Sequence, residues 1–326
     1  MGVDADRLAA SGGLPSEGRR PGGARVWVRW AFVAIAAGLL AWAIVRYREA
    51  IADSWSSIGA LAFLASGAAA LVALGANALS WRAVMRAVGL RATRREAASV
   101  FFISQAGKYV PGSVWPVVAQ AELARDHGVD RVRALVGSLG AMVVGVVTAG
   151  VIGSVGTTVF VPGAFAAYWW VLPFAAALAV LLAPPVLRRL VSWALRVRGR
   201  EGAAPEIAGR DLAVATLWSA VMWLLLGVHA WILLRQVAPG PSVSWPLATG
   251  AFALAWLVGF LVVFAPAGAG AREVAFVVLL GAVATAPQAL GFALASRVLM
   301  TLADAVALIV GLALAPRRAR GRAVHT

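Results

Sequence analysis

Residues 97–123 read AASVFFISQAGKYVPGSVWPVVAQAEL, a stretch long and apolar enough to be taken for a membrane span. Its middle, Gly107-Lys108-Tyr109-Val110-Pro111-Gly112, argues against a straight one. Proline has no N–H to donate and turns the residue before it away from helical dihedrals, so two short helices meeting at a break are expected. Arginines flank the stretch on both sides, five between positions 82 and 95 and three between 125 and 133. Cytoplasmic loops gather such residues, and a straight span would leave one of the two groups outside. The stretch therefore reads as a re-entrant hairpin that enters from the cytoplasm and returns to it.

The rest of the chain belongs to the same solvent. Only 13% of its residues are charged and 61% are hydrophobic, with a mean hydropathy of +0.84, which does not describe a domain coated by water. Uncharged runs at 30–45, 58–81, 134–187 and 212–234 approach or exceed the roughly 20 residues a helix needs to cross a hydrocarbon core. The chain has no cysteine, which excludes disulfides, thiolate metal sites and cysteine nucleophiles. No cofactor or metal is expected. A formal charge of +15 would point to nucleic acid in a soluble protein, but 23 of the 29 basic residues fall in five gaps between apolar segments. That distribution is a topology signal, and no nucleic-acid partner is expected.

Assigning the arginine-rich gaps to the cytoplasm places both termini inside a cell membrane, inner or plasma. Residues 1–26, rich in Gly, Ala and Arg, read as a disordered cytoplasmic tail. A signal peptide fits less well, because more membrane sequence follows the first apolar run. A single membrane domain covers 27–316, and 317–326 form a basic cytoplasmic tail. Six segments then cross the bilayer, at about 27–45, 58–81, 134–155, 167–187, 212–234 and 289–315. Residues 244–287 must start and finish outside, and their middle, Pro266-Ala267-Gly268-Ala269-Gly270-Ala271-Arg272-Glu273, is again a helix break. The fold expected is an all-α polytopic membrane protein with six full spans and two re-entrant helical hairpins. Its halves, about 27–155 and 167–315, form an inverted repeat of the kind transporters use. Eight full spans are the alternative.

Chemistry concentrates at the two breaks. Lys108 is the only lysine in the chain, and an ammonium at membrane depth costs several kcal/mol unless paired or hydrated, which marks a functional site. Arg272 and Glu273 follow Gly268 and Gly270, which let backbone approach a ligand closely. The first turn of a helix starting there offers N–H groups to an anion, and Arg272 adds a bidentate fork. The competing reading is that Arg272 and Glu273 pair with each other or with Lys108 to hold the hairpins together. Arg297 and Asp304, seven residues apart, lie on one face of the last segment and should each find a partner inside the bundle. His229 reads as a packed histidine, and Asn77 as a hydrogen bond between helices. Trp27, Trp30, Trp55, Trp81, Trp169, Trp170, Trp193 and Trp245 read as an interface belt, with Trp115 lining the first hairpin.

The two break motifs, 107–115 and 266–273, resemble those of the flippase-like transmembrane region of lysylphosphatidylglycerol synthases and its stand-alone relatives. Lys-Tyr-aliphatic-Pro-Gly followed by Trp is matched in full, while Ala267 stands where the second motif has a glycine. The resemblance spans nearly the whole membrane portion. Full-length enzymes of that family add a soluble domain that transfers lysine from its tRNA to phosphatidylglycerol, and this sequence stops at Thr326. Aminoacyl transfer is therefore not expected, and the chain is not expected to be an enzyme. What the resemblance implies is lipid translocation, or lipid-linked transport more generally, and it leaves the substrate open. The charges at the two breaks and in the last segment add the expectation of an anionic phospholipid or lipid-linked substrate, bound by Lys108, Tyr109, Pro111, Gly112, Trp115, Gly268, Gly270, Arg272, Glu273, Arg297 and Asp304. The alternatives are a membrane enzyme using a lipid-linked donor and an accessory subunit of an envelope-synthesis complex. Partners other than membrane lipid would be a second copy of the chain or a component of such a complex.

Overall fold

The structure, a computed structural model, describes residues 45–109, 114–161, 163–183, 185, 186, 189, 209–240, 242–262 and 268–315. The first expected segment and both tails lie almost wholly outside the described residues, as do Pro111, Gly112, Pro266, Ala267, Trp27, Trp30 and Trp193. Among the described residues all regular structure is helical. Four helices are long and apolar enough to cross a membrane: α2 (Ala60–Ala87), α5 (Arg131–Phe160), α8 (Gly209–Val237) and α11 (Ala286–Leu314). Each extends the span expected from the sequence, chiefly because charged residues such as Arg82, Arg131 and Arg210 still sit within the helix at its ends.

Shorter helices fill the intervals. A helix α1 (Arg48–Ser56) precedes α2. Between α2 and α5 come α3 (Arg94–Ser104), a 3₁₀ turn (Gln105–Tyr109) and α4 (Trp115–Ala124). Thr93 and Glu96 close a capping box at the start of α3. The expected fourth segment begins as two pieces, α6 (Ala164–Tyr168) and α7 (Val171–Val180). Between α8 and α11 lie α9 (Trp245–Leu261) and α10 (Ala271–Leu280).

The ends of α3 and α4 lie together, since the Arg91 N–H donates to the His127 carbonyl across 3.3 Å. The carbonyl of Ala313 near the end of α11 accepts from Arg95 at the same end of the bundle. At the opposite end, Ser57 donates to the Gln236 carbonyl at the close of α8, and Trp55 Nε1 to the Gly291 carbonyl in α11. The pair α9–α10 opens from that second end, because α9 follows α8 and α10 leads into α11 within a few residues.

At the centre α2 and α8 run antiparallel in close contact. The Ser66 hydroxyl donates to the His229 carbonyl at 3.0 Å and the Ser80 hydroxyl to the Ala215 carbonyl at 2.8 Å, with Ala70, Ala73 and Ala76 buried between. In lipid no hydrophobic force draws helices together, so small residues that admit close approach and hydroxyls that bond across are what such contacts need. The first helix of each pair packs on the distant long helix: α3 on α11 and α9 on α5. Ser99 Oγ donates to the Gly311 carbonyl at 2.7 Å in the first contact. In the second, Gly156 and Gly250 meet backbone to backbone, and a Cβ on Gly156 would lie 2.7 Å from Gly250 Cα. The second helix of each pair, α4 or α10, stays against α5 or α11 respectively.

Candidate functional site

Between the broken helices lies a cavity of about 520 Å³, reached by residues from α2, α3, α4, α5, α8, α9, α10 and α11. That volume falls within the range of small-ligand sites. Its walls are largely apolar, with Trp81, Trp223, Phe252 and Trp256 among them. Ionisable groups reach it from three elements: Lys108 and Tyr109 from the 3₁₀ turn, Arg272 from α10, and Arg297 and Asp304 from α11.

The ionisable groups are not equivalent. Lys108 Nζ lies 2.6 Å from each carboxylate oxygen of Asp304, and Tyr109 Oη donates to Asp304 Oδ2 at 2.6 Å. Arg297 Nε donates to Glu273 Oε1 at 2.9 Å, and its Nη2 lies 2.6 Å from the same oxygen without hydrogen-bond alignment. The other oxygen of Glu273 accepts from the Gly270 N–H at 2.7 Å, closing the first turn of α10. Gly268 and Gly270 have φ of 71° and 85°, a region glycine enters without strain.

Arg272 stands apart. Its guanidinium lies 4.6 Å from the ring centre of Phe252 and 5.4 Å from that of Phe276. Nε and Nη2 are buried and have no hydrogen-bond partner among the described residues. Those two nitrogens form one edge of the guanidinium, the fork that grips a carboxylate or phosphate side-on. Buried polar groups in native proteins are nearly always bonded, so an orphaned fork calls for a ligand, an ion or water. Three cations face two carboxylates, both of which are already engaged, leaving an excess of one positive charge around the cavity.

Lys108, Tyr109, Gly268, Arg272, Arg297 and Asp304 thus line one cavity, with Glu273, 2% exposed, immediately behind it. Gly270 caps α10 rather than lining the cavity. Trp115 begins α4 and is 46% exposed, and Pro116 and Val117 take its expected place in the wall, because the helix start turns the tryptophan outward. Pairing within 272–273, or with Lys108, does not occur: Glu273 reaches Arg297 instead. Arg297 and Asp304 each find a partner on a different hairpin, as their spacing on one face of α11 implied.

Two expectations outside the cluster change. Asn77 makes no hydrogen bond among the described residues and faces the cavity. Trp81 is 2% exposed, packed on Phe101 and bonded to Ser138, so it belongs to the core and not to an interface belt; Trp169 and Trp170, each 58% exposed, fit the belt. His229 is a packed histidine, its ring nitrogens 2.7 Å from Ser66 Oγ and 2.9 Å from Ser296 Oγ. Gln105, Gln120 and Thr301 also line the cavity. A neutral polar residue in an apolar run carries too small a cost to stand out in the sequence, so these three escape notice there.

Among the described residues no group of His, Cys, Asp or Glu could hold a metal ion. No curated protein gives a significant match to the chain. The family model described as the lysylphosphatidylglycerol synthase TM region matches residues 29–311, and the chain, a multi-pass membrane protein by its apolar helices, belongs to that family.

Proposed function

We propose that the protein translocates an anionic lipid, its head group passing through the cavity while its chains stay in the bilayer. The observation that carries this reading is Arg272, a buried cation whose fork lacks a partner beside a cavity of net positive charge. A phosphate there would supply the missing acceptors and cancel the excess charge. Membership of a family linked to lipid modification and flipping supports the same reading. Catalysis is not part of it: the carboxylates at the cavity are held in ion pairs and neither is free to act as a base.

The architecture that serves this function is six spans with two re-entrant hairpins, α3–α4 from the cytoplasm and α9–α10 from outside, in an inverted repeat. The antiparallel α2–α8 contact and the reciprocal packing of α3 on α11 and α9 on α5 support that symmetry. The arginine-rich loops around 82–95 and 125–133 share one end of the bundle, which supports a cytoplasmic reading of that end. Because the chain has no cysteine, single-cysteine labelling is a clean test. Arg91→Cys and Arg125→Cys should react from the same, cytoplasmic, side; opposite sides would favour eight full spans.

Function is tested with purified protein in vesicles carrying head-group-labelled anionic lipid. Wild type should move label across the bilayer, and Lys108→Ala and Arg272→Met should slow it. Wild-type protein that moves none of the common anionic phospholipids, or that converts them to a new lipid, would overturn the proposal.

A further inference from the structure

Resting on that reading, we infer that the head group is a phosphodiester carrying an uncharged, hydroxyl-rich group such as a sugar or inositol, not a cationic aminoacyl group. A cationic head group needs a carboxylate whose charge is not already compensated by a cation of the protein. Asp304 is occupied by Lys108 and Tyr109, and Glu273 by Arg297 and the Gly270 N–H. An added ammonium would also enter a cavity that already holds one uncompensated positive charge, at a depth where like charges are poorly screened.

The cavity also carries groups suited to hydroxyls. Asn77, Gln105 and Gln120 line the cavity, and none makes a hydrogen bond among the described residues. Each amide offers two donors and an acceptor, the mixture a polyol needs and a simple phosphate does not. Nor does any described hydrogen bond engage the indole N–H of Trp256, whose ring packs at 5.1 Å from Trp223 and 5.2 Å from Phe260. Trp81 and Trp223 are anchored by their own N–H groups, to Ser138 in one case and to Gly145 and Thr148 in the other. Fixed aromatic faces beside free amides suit the C–H face and hydroxyl edge of a sugar-like ring. The fork of Arg272 lines the same cavity, and the phosphate would sit there.

The test measures binding of the full-length protein, reconstituted in phosphatidylcholine nanodiscs, to one added lipid at a time. Phosphatidylinositol should bind at least about tenfold more tightly than phosphatidylglycerol, because the five hydroxyls of its ring can satisfy more of the waiting amides than the two of the glycerol head group, and each polar group left unpaired costs affinity. Lysyl-phosphatidylglycerol should bind more weakly than either. Equal or tighter binding of lysyl-phosphatidylglycerol would overturn the inference while leaving anionic lipid translocation standing, whereas failure of all three lipids would remove both. Asn77→Leu and Gln120→Leu should weaken phosphatidylinositol more than phosphatidylglycerol, with phosphatidylglycerol binding as the check on folding; equal losses would also overturn it. Soluble glycerophosphoinositol separates the sources. Displacement at comparable concentration assigns the phosphate-polyol chemistry to a free sugar phosphate, and no displacement assigns it to the lipid; both support the chemistry itself.

Discussion

The two breaks present the same problem, a cation at a largely apolar cavity, and answer it differently. At the first, Lys108 keeps 28% of its side chain exposed and is held by Asp304. At the second, Glu273 is 2% exposed and tied to Arg297, while Arg272 beside it has an unpaired fork. Both carboxylate pairs end on α11. In α5, which packs on α9 as α11 packs on α3, the only ionisable residues are Arg131 and Arg133 in the first turn. The ion pairs therefore tie both hairpins to one helix, and at the second break a cation without a hydrogen-bond partner among the described residues is left over, the group on which the proposed binding rests.

The largest effect should come from removing the carboxylate at the second break. Glu273→Ala strands Arg297 and Arg272 together and frees the first turn of α10, and losing one partner of a buried pair costs about 3–5 kcal/mol. Thermal unfolding in detergent should show a large drop, with glutamine recovering part of it through the Gly270 cap. A stability close to wild type would mean that the pair does not brace the hairpin. Arg272→Met breaks the comparison from the other side. A buried cation without a carboxylate partner costs more in desolvation than its contacts with the Phe252 and Phe276 rings return, so the variant should unfold at or above the wild-type temperature. Its affinity for anionic lipid should fall by about 1.5–3 kcal/mol, the range for a charged hydrogen bond, or roughly 10- to 150-fold.

This division of labour was only half legible in the sequence. Lys108 and Arg272 stood out because charge in an apolar run is costly, and Pro111 with its neighbours marked a break because proline cannot continue a helix. Partner choice was hidden. Glu273 reaches Arg297 and Asp304 reaches Lys108 only because α11 passes both hairpins, a fact of tertiary packing that no local spacing records. Arg297 and Asp304 could be placed on one face of α11, but not against particular cations. The cavity amides were hidden for a different reason: at Asn77 or Gln120 the sequence differs little from an ordinary contact between membrane helices.

The hairpins also differ in how their first helices meet the distant long helix, and glycine-to-alanine changes read that difference. At the α9–α5 crossing a Cβ on Gly156 would lie 2.6 Å from the Pro246 carbonyl oxygen and 2.7 Å from Gly250 Cα, so backbone itself must move. Overpacking of this kind costs about 1–3 kcal/mol, and Gly156→Ala should lower the unfolding temperature accordingly.

The α3–α11 crossing is looser. A Cβ on Gly311 would meet Phe102 Cβ at 3.0 Å and Ile103 at 3.2 Å, and the contact is held by the Ser99 hydroxyl on the Gly311 carbonyl. Ser99→Ala removes that donor from a carbonyl in the last turn of α11, where the Ala315 N–H bonds Leu312 instead, so the loss should be about 1 kcal/mol, the net worth of one hydrogen bond. Gly311→Ala should fall between the two. If instead Ser99→Ala proved as damaging as Gly156→Ala, the first hairpin would be as rigidly seated as the second, and the contrast between the two crossings would fall.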